Sequence, residues 1–283
     1  MTRTITGLSM VFILLMALWF SGWAFALIFL IITILGLWEF YGLISTDTCQ
    51  PQKYYGIAAG ILLYGISTFI FLDLIPVISH KLFDQFWLWF IPFIIPVPLF
   101  FISFIIEIYR KKSNPLINIA ATTFGFFYIA LPFSLLILFS RADALHYCGM
   151  PVILTGYFAF TWMYDTSAYL YGKSFGRHKF FERISPKKTW EGIIAGVIIT
   201  FLAAFGFHFL VNVLPLIDWL MLAAIVIIFG TYGDLAESLL KRGLNIKDSG
   251  NILPGHGGIL DRFDTMLIST PFVFLYFFLR FSI

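Results

Sequence analysis

The chain has 283 residues, of which 60% are apolar and only 12% are charged, and its mean hydropathy is +0.93. A soluble globular protein has roughly 45–50% apolar and about 25% charged residues. The excess of apolar residues therefore excludes a soluble or disordered chain and indicates a protein embedded in lipid. The net charge of +3 is small. Its basic clusters interrupt hydrophobic segments, which excludes nucleic acid as the expected partner and favours anionic phosphate groups at a membrane surface.

Nine apolar segments approach the length of about 20 residues that a membrane-spanning helix needs. They predict an all-α, polytopic membrane protein with spans near 5–21, 23–44, 55–78, 87–109, 116–139, 148–172, 190–213, 217–240 and 265–281. The apolar run of residues 5–44 is nearly continuous, so it is compatible with either one span or two. A weak signal-peptidase match at Ala24-Phe-Ala26 does not interrupt the apolar run, and no cleavage is expected there.

The domain prediction is a single membrane domain over 1–283. The spans within residues 1–140 have no assigned role, and residues 148–281 are the predicted catalytic half. The orientation follows from the basic residues. With the N-terminus inside, 15 of the 18 Lys and Arg face the cytoplasm and three face outward, namely Lys81, Arg141 and Arg280. This asymmetry is the one that membrane topology normally follows.

Two further residue types fit this topology. The two cysteines, Cys49 and Cys148, lie on opposite sides of the membrane and are not expected to pair. Six acidic residues fall near the cytoplasmic ends of spans, namely Glu39, Glu107, Asp165, Glu191, Asp234 and Glu237. For Glu39 and Glu107 alone the sequence favours interfacial snorkelling. The group of six indicates a cavity that opens to the cytoplasm.

The end of the eighth span carries a polar helix face. Asp234, Glu237, Ser238 and Lys241 are spaced i, i+3, i+4 and i+7, so a helix presents them on one side. Two carboxylates at the mouth of a cavity offer the hard oxygen ligands that Mg²⁺ prefers. A polar helix end that is merely solvated is the alternative.

A second acidic pair, Asp261 and Asp264, lies at the start of the last span, with Arg262 between the two acids. An arginine there can bind a phosphate through two parallel hydrogen bonds. The segment Pro254-Gly-His-Gly-Gly258 precedes this pair, and its glycines allow the backbone to approach a ligand closely. Alone this string predicts a plain turn; between the two acidic pairs it predicts a phosphate and metal site.

A second polar segment follows the sixth span. Asp165 and Lys173 lie near the end of that span, and Lys187 and Lys188 directly precede the seventh, whose helix N-terminus adds positive potential. Attraction to anionic lipid would explain the lysines alone, but it would not explain the aspartate.

The two segments together resemble a known signature. The pattern Ser238-x2-Lys241-Arg242-x4-Lys247-Asp248-x-Gly250-x3-Pro254-Gly-His-Gly-Gly258-x2-Asp261-Arg262-x-Asp264 resembles that of the phosphatidate cytidylyltransferases, also called CDP-diacylglycerol synthases. The segments Asp165–Gly176 and Ser185-Pro-Lys-Lys-Thr-Trp-Glu-Gly192 are also similar to that family, so the resemblance covers about 165–264.

This resemblance implies that CTP and phosphatidic acid react to give CDP-diacylglycerol and pyrophosphate with Mg²⁺, at the cytoplasmic face of a bacterial inner membrane. Residues expected in catalysis are Asp234, Asp261, Lys188 and His256. The expected metal ligands are Asp234 and Asp261, supported by Glu237 and Asp264; a second cation is compatible with them. Residues expected to bind the phosphates of CTP and phosphatidate are Asp165, Lys173, Lys187, Lys188, Ser238, Lys241, Arg242, Lys247, Asp248, Gly255, His256, Gly257 and Arg262.

Two alternatives remain open at this point. A related membrane cytidylyltransferase or CTP-dependent kinase would act on another lipid, such as an ether lipid or a polyprenol. A transporter of anionic substrates would use the same charged cavity without chemistry, but transporters usually have paired broken helices in two halves, whereas the polar motifs here lie in the C-terminal half. The sequence is compatible with a homo-oligomer and does not specify its size.

Overall fold

The structure is a computed structural model, and it describes residues 2–71, 90–146, 151–211, 213–250 and 257–282. Within these residues the elements are α1 (Thr2–Phe20), α2 (Gly22–Ile44), α3 (Lys53–Phe71), α4 (Ile91–Ile94), α5 (Pro96–Arg110), α6 (Pro115–Gly125), a π-helical turn (Phe126–Ala130), α7 (Leu131–His146), α8 (Val152–Phe175), β1 (Lys179–Phe181), β2 (Ser185–Thr189), α9 (Trp190–Val211), α10 (Leu216–Gly243) and α11 (Leu260–Ser282).

Within the part of the chain that the structure describes, six helical segments are long and apolar enough to cross a membrane. They are Gly22–Ile44, Pro92–Arg110, Pro115–Phe139, Trp190–Val211, Leu216–Gly243 and Leu260–Arg280. Large apolar side chains on α9, such as Ile198, Leu202 and Phe209, are exposed on the protein surface, where lipid would cover them. The prediction of an all-α, polytopic membrane protein is therefore confirmed. The count of nine spans stays a prediction, since four of the expected spans include residues outside the described ranges.

The chain divides into two compact units. The first contains Met1–Ala142, Asp248–Arg262 and Leu279–Ile283, and the second contains Asp143–Lys247 and Phe263–Phe278.

In the second unit, small residues allow α8 and α9 to cross at close range. A Cβ atom added at Gly192 would lie 2.5 Å from the carbonyl oxygen of Ala168 and 2.9 Å from Cα of Gly172. One at Gly196 would lie 2.8 Å from the Tyr164 ring. Only glycine fits at these positions, and the crossing brings the polar end of α8 beside the start of α9.

Glycines also bring α10 and α11 together in this unit. A Cβ atom at Gly233 would lie 2.5 Å from the carbonyl oxygen of Asp264, and one at Gly230 would lie 2.6 Å from Cγ2 of Thr265. The backbone of α11 therefore rests against α10 at the turn that carries Asp234. This close approach is what brings acids from two helices together.

A β-hairpin connects α8 to α9, where the sequence predicts only a polar loop. Lys179 pairs with Thr189 in the antiparallel register of β1 and β2. At its base, Glu191 accepts hydrogen bonds from the backbone N–H groups of Arg177 (3.0 Å) and His178 (3.2 Å). These contacts fix the residues that lead into β1 against the start of α9, which directly follows β2 and its Lys188.

The first unit contains a buried polar network around Glu107 of α5. The side-chain amides of Gln52 and Asn118 and the guanidinium of Arg110 each donate to its carboxylate at 2.7 Å. Glu107 is only 5% exposed. The expectation of a snorkelling Glu107 is thus wrong: its charge is satisfied inside the protein, because three donors replace the water that the carboxylate loses.

Candidate active site

Three acids of the second unit form one cluster, called here the acidic cluster: Asp234 and Glu237 of α10 and Asp264 of α11. Each contributes one carboxylate oxygen, and these oxygens lie within 4.8 Å of one another. The predicted polar face of α10 is confirmed, since the Ser238 hydroxyl donates to Asp234 (3.3 Å) and Lys241 donates to Glu237 (2.8 Å). The cluster thus combines a helical i, i+3 pair with one acid from a neighbouring helix.

Two lysines lie directly against the acidic cluster. The Lys188 ammonium is 2.6 Å from Oδ2 of Asp234, and the Lys241 ammonium is 2.8 Å from Oε2 of Glu237. Lys188 also donates to the carbonyl oxygen of Thr231 at 3.4 Å. Both ammonium groups are largely shielded from solvent, with 22% and 15% of their side chains exposed. Charge pairs of this kind are stronger than surface ion pairs, because the screening by water is reduced.

The donor set of the acidic cluster suits a hard divalent cation. Three carboxylates supply only oxygen ligands, which Mg²⁺ prefers over nitrogen or sulfur. Mg²⁺ usually keeps several waters, so it does not need all its ligands from the protein. The spacing of the oxygens, within 4.8 Å of one another, leaves room for one such ion between them. The residues therefore fit the expected metal.

Asp165 of α8 lies beside the same turn of α11. Its Oδ2 accepts a hydrogen bond from the Thr265 hydroxyl at 3.2 Å, and the backbone N–H of Thr265 donates to Asp264 at 2.7 Å. Tyr164, one residue earlier, shares a 2.5 Å hydrogen bond with the Thr231 hydroxyl. Thr231 and Thr265 thus connect α8 to the two helices of the acidic cluster.

Asp261 belongs to the first unit, where it holds the chain before α11. Its Oδ2 accepts hydrogen bonds from the backbone N–H groups of Ser249 and Gly258, both at 2.9 Å, and from the Ser249 hydroxyl at 3.0 Å. Gly257 has φ +83°, a backbone conformation that favours glycine. The N–H of Gly258, which could have bound a phosphate, is therefore occupied by Asp261.

Glu39 of α2 was not among the expected site residues, yet it contacts the signature segment within the first unit. It accepts a hydrogen bond from the Ser249 hydroxyl, and from the N–H groups of Ile259 (2.9 Å) and Leu260 (3.3 Å). Only 6% of Glu39 is exposed, so the snorkelling interpretation is wrong for this residue too.

The remaining predicted residues divide into two groups. Exposed side chains belong to Lys173, Lys187, Arg242, Lys247, Asp248 and Arg262. Gly255 and His256 lie outside the described residues, as does Cys148. The roles predicted for all of these residues stay predictions.

Three residues that the sequence did not single out take part in these contacts, namely Thr231, Thr265 and Ser249. Thr231 lies three residues before Asp234, on the same helical face, and this spacing is the sequence feature that identifies it as part of the site. Thr265 directly follows the signature, and Ser249 lies at one of its variable positions. Nothing in the local sequence separates these two from ordinary turn and helix residues.

Comparison with known proteins adds independent information. The model of a family described as the cytidylyltransferase family matches residues 1–280. Three similar curated proteins carry the name phosphatidate cytidylyltransferase. The protein from Bacillus subtilis (strain 168) is 47% identical over 114 residues, that from Staphylococcus haemolyticus (strain JCSC1435) is 42% identical over 158 residues, and that from Staphylococcus aureus (strain COL) is 43% identical over 134 residues.

These matches are partial in length. They cover 40%, 55% and 47% of this chain, and 42%, 55% and 49% of the three relatives, in the same order. The chain thus spans about half the length of the curated relatives that it matches.

Proposed function

This chain belongs to the cytidylyltransferase family, and from that premise we propose that it is a phosphatidate cytidylyltransferase. It transfers the cytidylyl group of CTP to phosphatidic acid and releases pyrophosphate. The observation that carries this proposal is the acidic cluster with Lys188 and Lys241 at 2.6 and 2.8 Å from its carboxylates. Alternating acids and cations are what a site needs to hold a metal and a triphosphate together. The relatives with this name support the same substrates.

The proposed reaction needs little covalent assistance from the protein. A phosphate oxygen of phosphatidic acid is already anionic, so it attacks the α-phosphorus of CTP without a strong base. The new bond joins this oxygen to the α-phosphorus, and the bond from the α-phosphorus to the oxygen that bridges it to the β-phosphorus breaks. That bridging oxygen leaves with pyrophosphate. Catalysis then depends on orienting two anions in line and on neutralising their charge.

We assign the metal to the acidic cluster, with Asp234, Glu237 and Asp264 as ligands and Asp261 as a further supporting ligand. When bound, Mg²⁺ would neutralise the negative charge that develops on the phosphate oxygens. The ranking differs from the sequence-based one, in which Asp234 and Asp261 lead and Glu237 and Asp264 support them, because Glu237 and Asp264 now both lie in the cluster with Asp234. Asp264 takes the leading role that Asp261 held, because Oδ2 of Asp261 already accepts three hydrogen bonds from Ser249 and Gly258. A second cation remains compatible with this number of acids.

The phosphate groups are assigned to the basic residues. Lys188 and Lys241 lie against the acidic cluster, where they can pass from a carboxylate to a phosphate oxygen over a short distance. The exposed Lys173, Lys187, Arg242, Lys247 and Arg262 would attract the two anionic substrates. The phosphate-binding roles that the sequence assigns to Asp165, Ser238, Asp248, Gly255, His256 and Gly257 remain part of this proposal.

In the membrane, we propose nine spans with the N-terminus and both signature segments on the cytoplasmic side of a bacterial inner membrane. Fifteen of the 18 Lys and Arg would then be cytoplasmic. In this topology the headgroup phosphate of the lipid substrate would lie at the cytoplasmic interface, near the ends of α8 and α10.

The decisive experiment supplies purified protein with CTP labelled in the cytidine ring, phosphatidic acid and Mg²⁺. Formation of labelled CDP-diacylglycerol and one equivalent of pyrophosphate is the expected result. CTP labelled at the γ-phosphate, offered with diacylglycerol or a polyprenol, tests the kinase alternative. Transfer of the γ-label to a lipid alcohol, without lipid-linked cytidylate, would overturn the proposal.

A further inference from the structure

Glu39 holds the beginning of α11 from a helix that precedes it by more than two hundred residues. Its Oε2 accepts the N–H of Ile259 at 2.9 Å, and its Oε1 accepts the N–H of Leu260 at 3.3 Å and the hydroxyl of Ser249. The carboxylate is almost fully buried, with 6% of the residue exposed. A buried carboxylate is tolerated only when donors replace its hydration, and here two backbone donors and one hydroxyl do so.

Two glycines of the signature make room for this carboxylate. A Cβ atom at Gly250 would lie 2.8 Å from Oε2 of Glu39, and one at Gly258 would overlap Oε1 of Glu39 and the Ser249 hydroxyl. Any side chain at either position would therefore displace Glu39. Glu39 therefore accounts for the glycines at these two signature positions.

The position of Glu39 has a consequence for Asp261 and Arg262. A helix N-terminus carries unpaired N–H groups and a partial positive charge, which attract anions. Glu39 occupies the donors of Ile259 and Leu260, and Asp261 occupies that of Gly258. Because the protein fills these donors itself, the first turn of α11 is fixed before any substrate arrives. Asp261 and Arg262 follow immediately in that turn.

We propose that Glu39 is a positioning residue for CTP binding: it fixes the first turn of α11 so that Arg262 meets the nucleotide phosphates in a single orientation. The inference rests on the proposed function, since it takes CTP as the ligand. It gives Glu39 of α2 a role that neither the signature nor the names of the relatives assign. Glu39 itself need not touch CTP.

The test is Glu39→Gln, which keeps the size of the side chain. An amide has one acceptor oxygen, so its NH₂ group must face at least one donor among Ser249, Ile259 and Leu260. Loss of a buried, charge-assisted contact weakens the positioned state by about tenfold or more. We therefore expect the Kd for CTP, measured by calorimetry on detergent-purified protein with Mg²⁺, to rise about tenfold or more. The KM for CTP should rise in parallel, with a smaller change in the KM for phosphatidic acid.

Glu107→Gln is the matched control. Glu107 is equally buried, at 5% exposure, and lies on another N-terminal helix, where its partners are Gln52, Arg110 and Asn118. The chemical change is the same, so any general loss of stability should appear in both variants. The calorimetric stoichiometry gives the folded fraction, and the Kd of that fraction for CTP should stay within about twofold of wild type in Glu107→Gln.

Hydrogen exchange supplies a measurement that does not depend on CTP. In Glu39→Gln, the amides of Ile259 and Leu260 should exchange faster than in wild type, while peptides from α3 and α9 keep their protection. Unchanged CTP affinity in Glu39→Gln, or an equal loss in Glu107→Gln, would overturn the positioning role. Absence of CTP binding in the wild type would instead overturn the proposed function, and the exchange result would still report whether Glu39 holds α11.

Discussion

The ammonium nitrogen of Lys188 lies 2.6 Å from Oδ2 of Asp234, a carboxylate of the acidic cluster. Lys188 is contributed by the last part of β2, and Asp234 by the final turns of α10. Without a metal, three neighbouring carboxylates repel one another, and Lys188 and Lys241 offset that repulsion. A divalent cation held by these carboxylates would compete with the ammonium groups, and Lys188 and Lys241 would then be available to bind phosphate.

This competition predicts opposite effects of one substitution on two ligands. Lys188→Met removes the ammonium but keeps the aliphatic chain, so Mn²⁺ or Mg²⁺ should bind about three- to tenfold more tightly without CTP, because a like charge has gone. CTP should bind more weakly in the same variant, because a phosphate contact is lost. Manganese binding followed by electron paramagnetic resonance, and CTP binding followed by calorimetry, measure the two effects separately.

Lys187→Met is the control for this prediction. Lys187 is adjacent in sequence but its side chain is exposed. Its loss should keep the metal affinity within about twofold of wild type, and it should weaken CTP binding in a salt-dependent manner. Equal metal affinities in wild type and Lys188→Met would show that the Lys188–Asp234 pair does not compete with the metal.

A second prediction ranks the carboxylates. Asp234→Asn and Asp264→Asn should each lower turnover by at least about 10²-fold, which is the scale of losing a major electrostatic contact in a catalytic site. The double variant should be little worse than either single one, because ligands of one ion act as a unit. Asp261→Asn should also lower turnover, but with a smaller loss of metal affinity than Asp264→Asn.

Turnover at saturating Mg²⁺, together with Mn²⁺ affinity for each variant, decides this ranking. Near-normal turnover in both Asp234→Asn and Asp264→Asn would show that the acidic cluster does not bind the catalytic metal. The carboxylates would then serve as structural partners of Lys188 and Lys241.

Local periodicity accounts for the parts of the site that the sequence predicted. The face shared by Asp234, Glu237, Ser238 and Lys241 depends only on the 3.6-residue repeat of one helix, and the structure has those contacts. Asp264 joins this face through a crossing of α10 and α11 at Gly233, which no local pattern encodes. Glu39 is 210 residues from Ser249. A single sequence contains no signal that pairs two such distant positions.

The hairpin of β1 and β2 could not be predicted from the sequence for a different reason. Residues 179–189 have a mixture of basic, aromatic and turn residues that is typical of a loop, and the strands are only three and five residues long. What closes the hairpin is Glu191, which binds the backbone of Arg177 and His178. That contact becomes visible only once the start of α9 is known.

The third prediction concerns orientation. Single cysteines at Lys179 or Asn245, in a background without Cys49 and Cys148, should resist membrane-impermeant thiol reagents in intact cells, because both positions face the cytoplasm in the proposed topology. Both side chains are exposed in the structure, so burial would not explain the resistance. Both should react after the membrane is permeabilised. A cysteine at Val213, in the loop proposed to face outward, should react in intact cells. Labelling of Lys179→Cys or Asn245→Cys from outside would overturn the orientation.

The last prediction tests whether the approach of α10 to α11 assembles the acidic cluster. A methyl group at Gly233 would lie 2.5 Å from the carbonyl oxygen of Asp264 and 3.1 Å from Cα of Thr265. Backbone atoms cannot rotate away, so Gly233→Ala must separate the two helices, at a cost of about 1–3 kcal/mol for overpacking. Because Asp264 moves with α11, metal affinity should fall together with the free energy of unfolding.

Gly206→Ala provides the comparison for Gly233→Ala. Gly206 also lies inside a membrane helix, α9, but an added Cβ would meet no heavy atom within 4 Å apart from its chain neighbours and the backbone of its own helix. Alanine is favoured over glycine in a helix by about 1 kcal/mol, so this variant should lose no stability and keep its metal affinity. Thermal unfolding in detergent and Mn²⁺ titration on the folded fraction measure both properties. If Gly233→Ala binds metal as tightly as Gly206→Ala, the cluster does not depend on this helix crossing, because Asp264 would have kept its place despite the added methyl group.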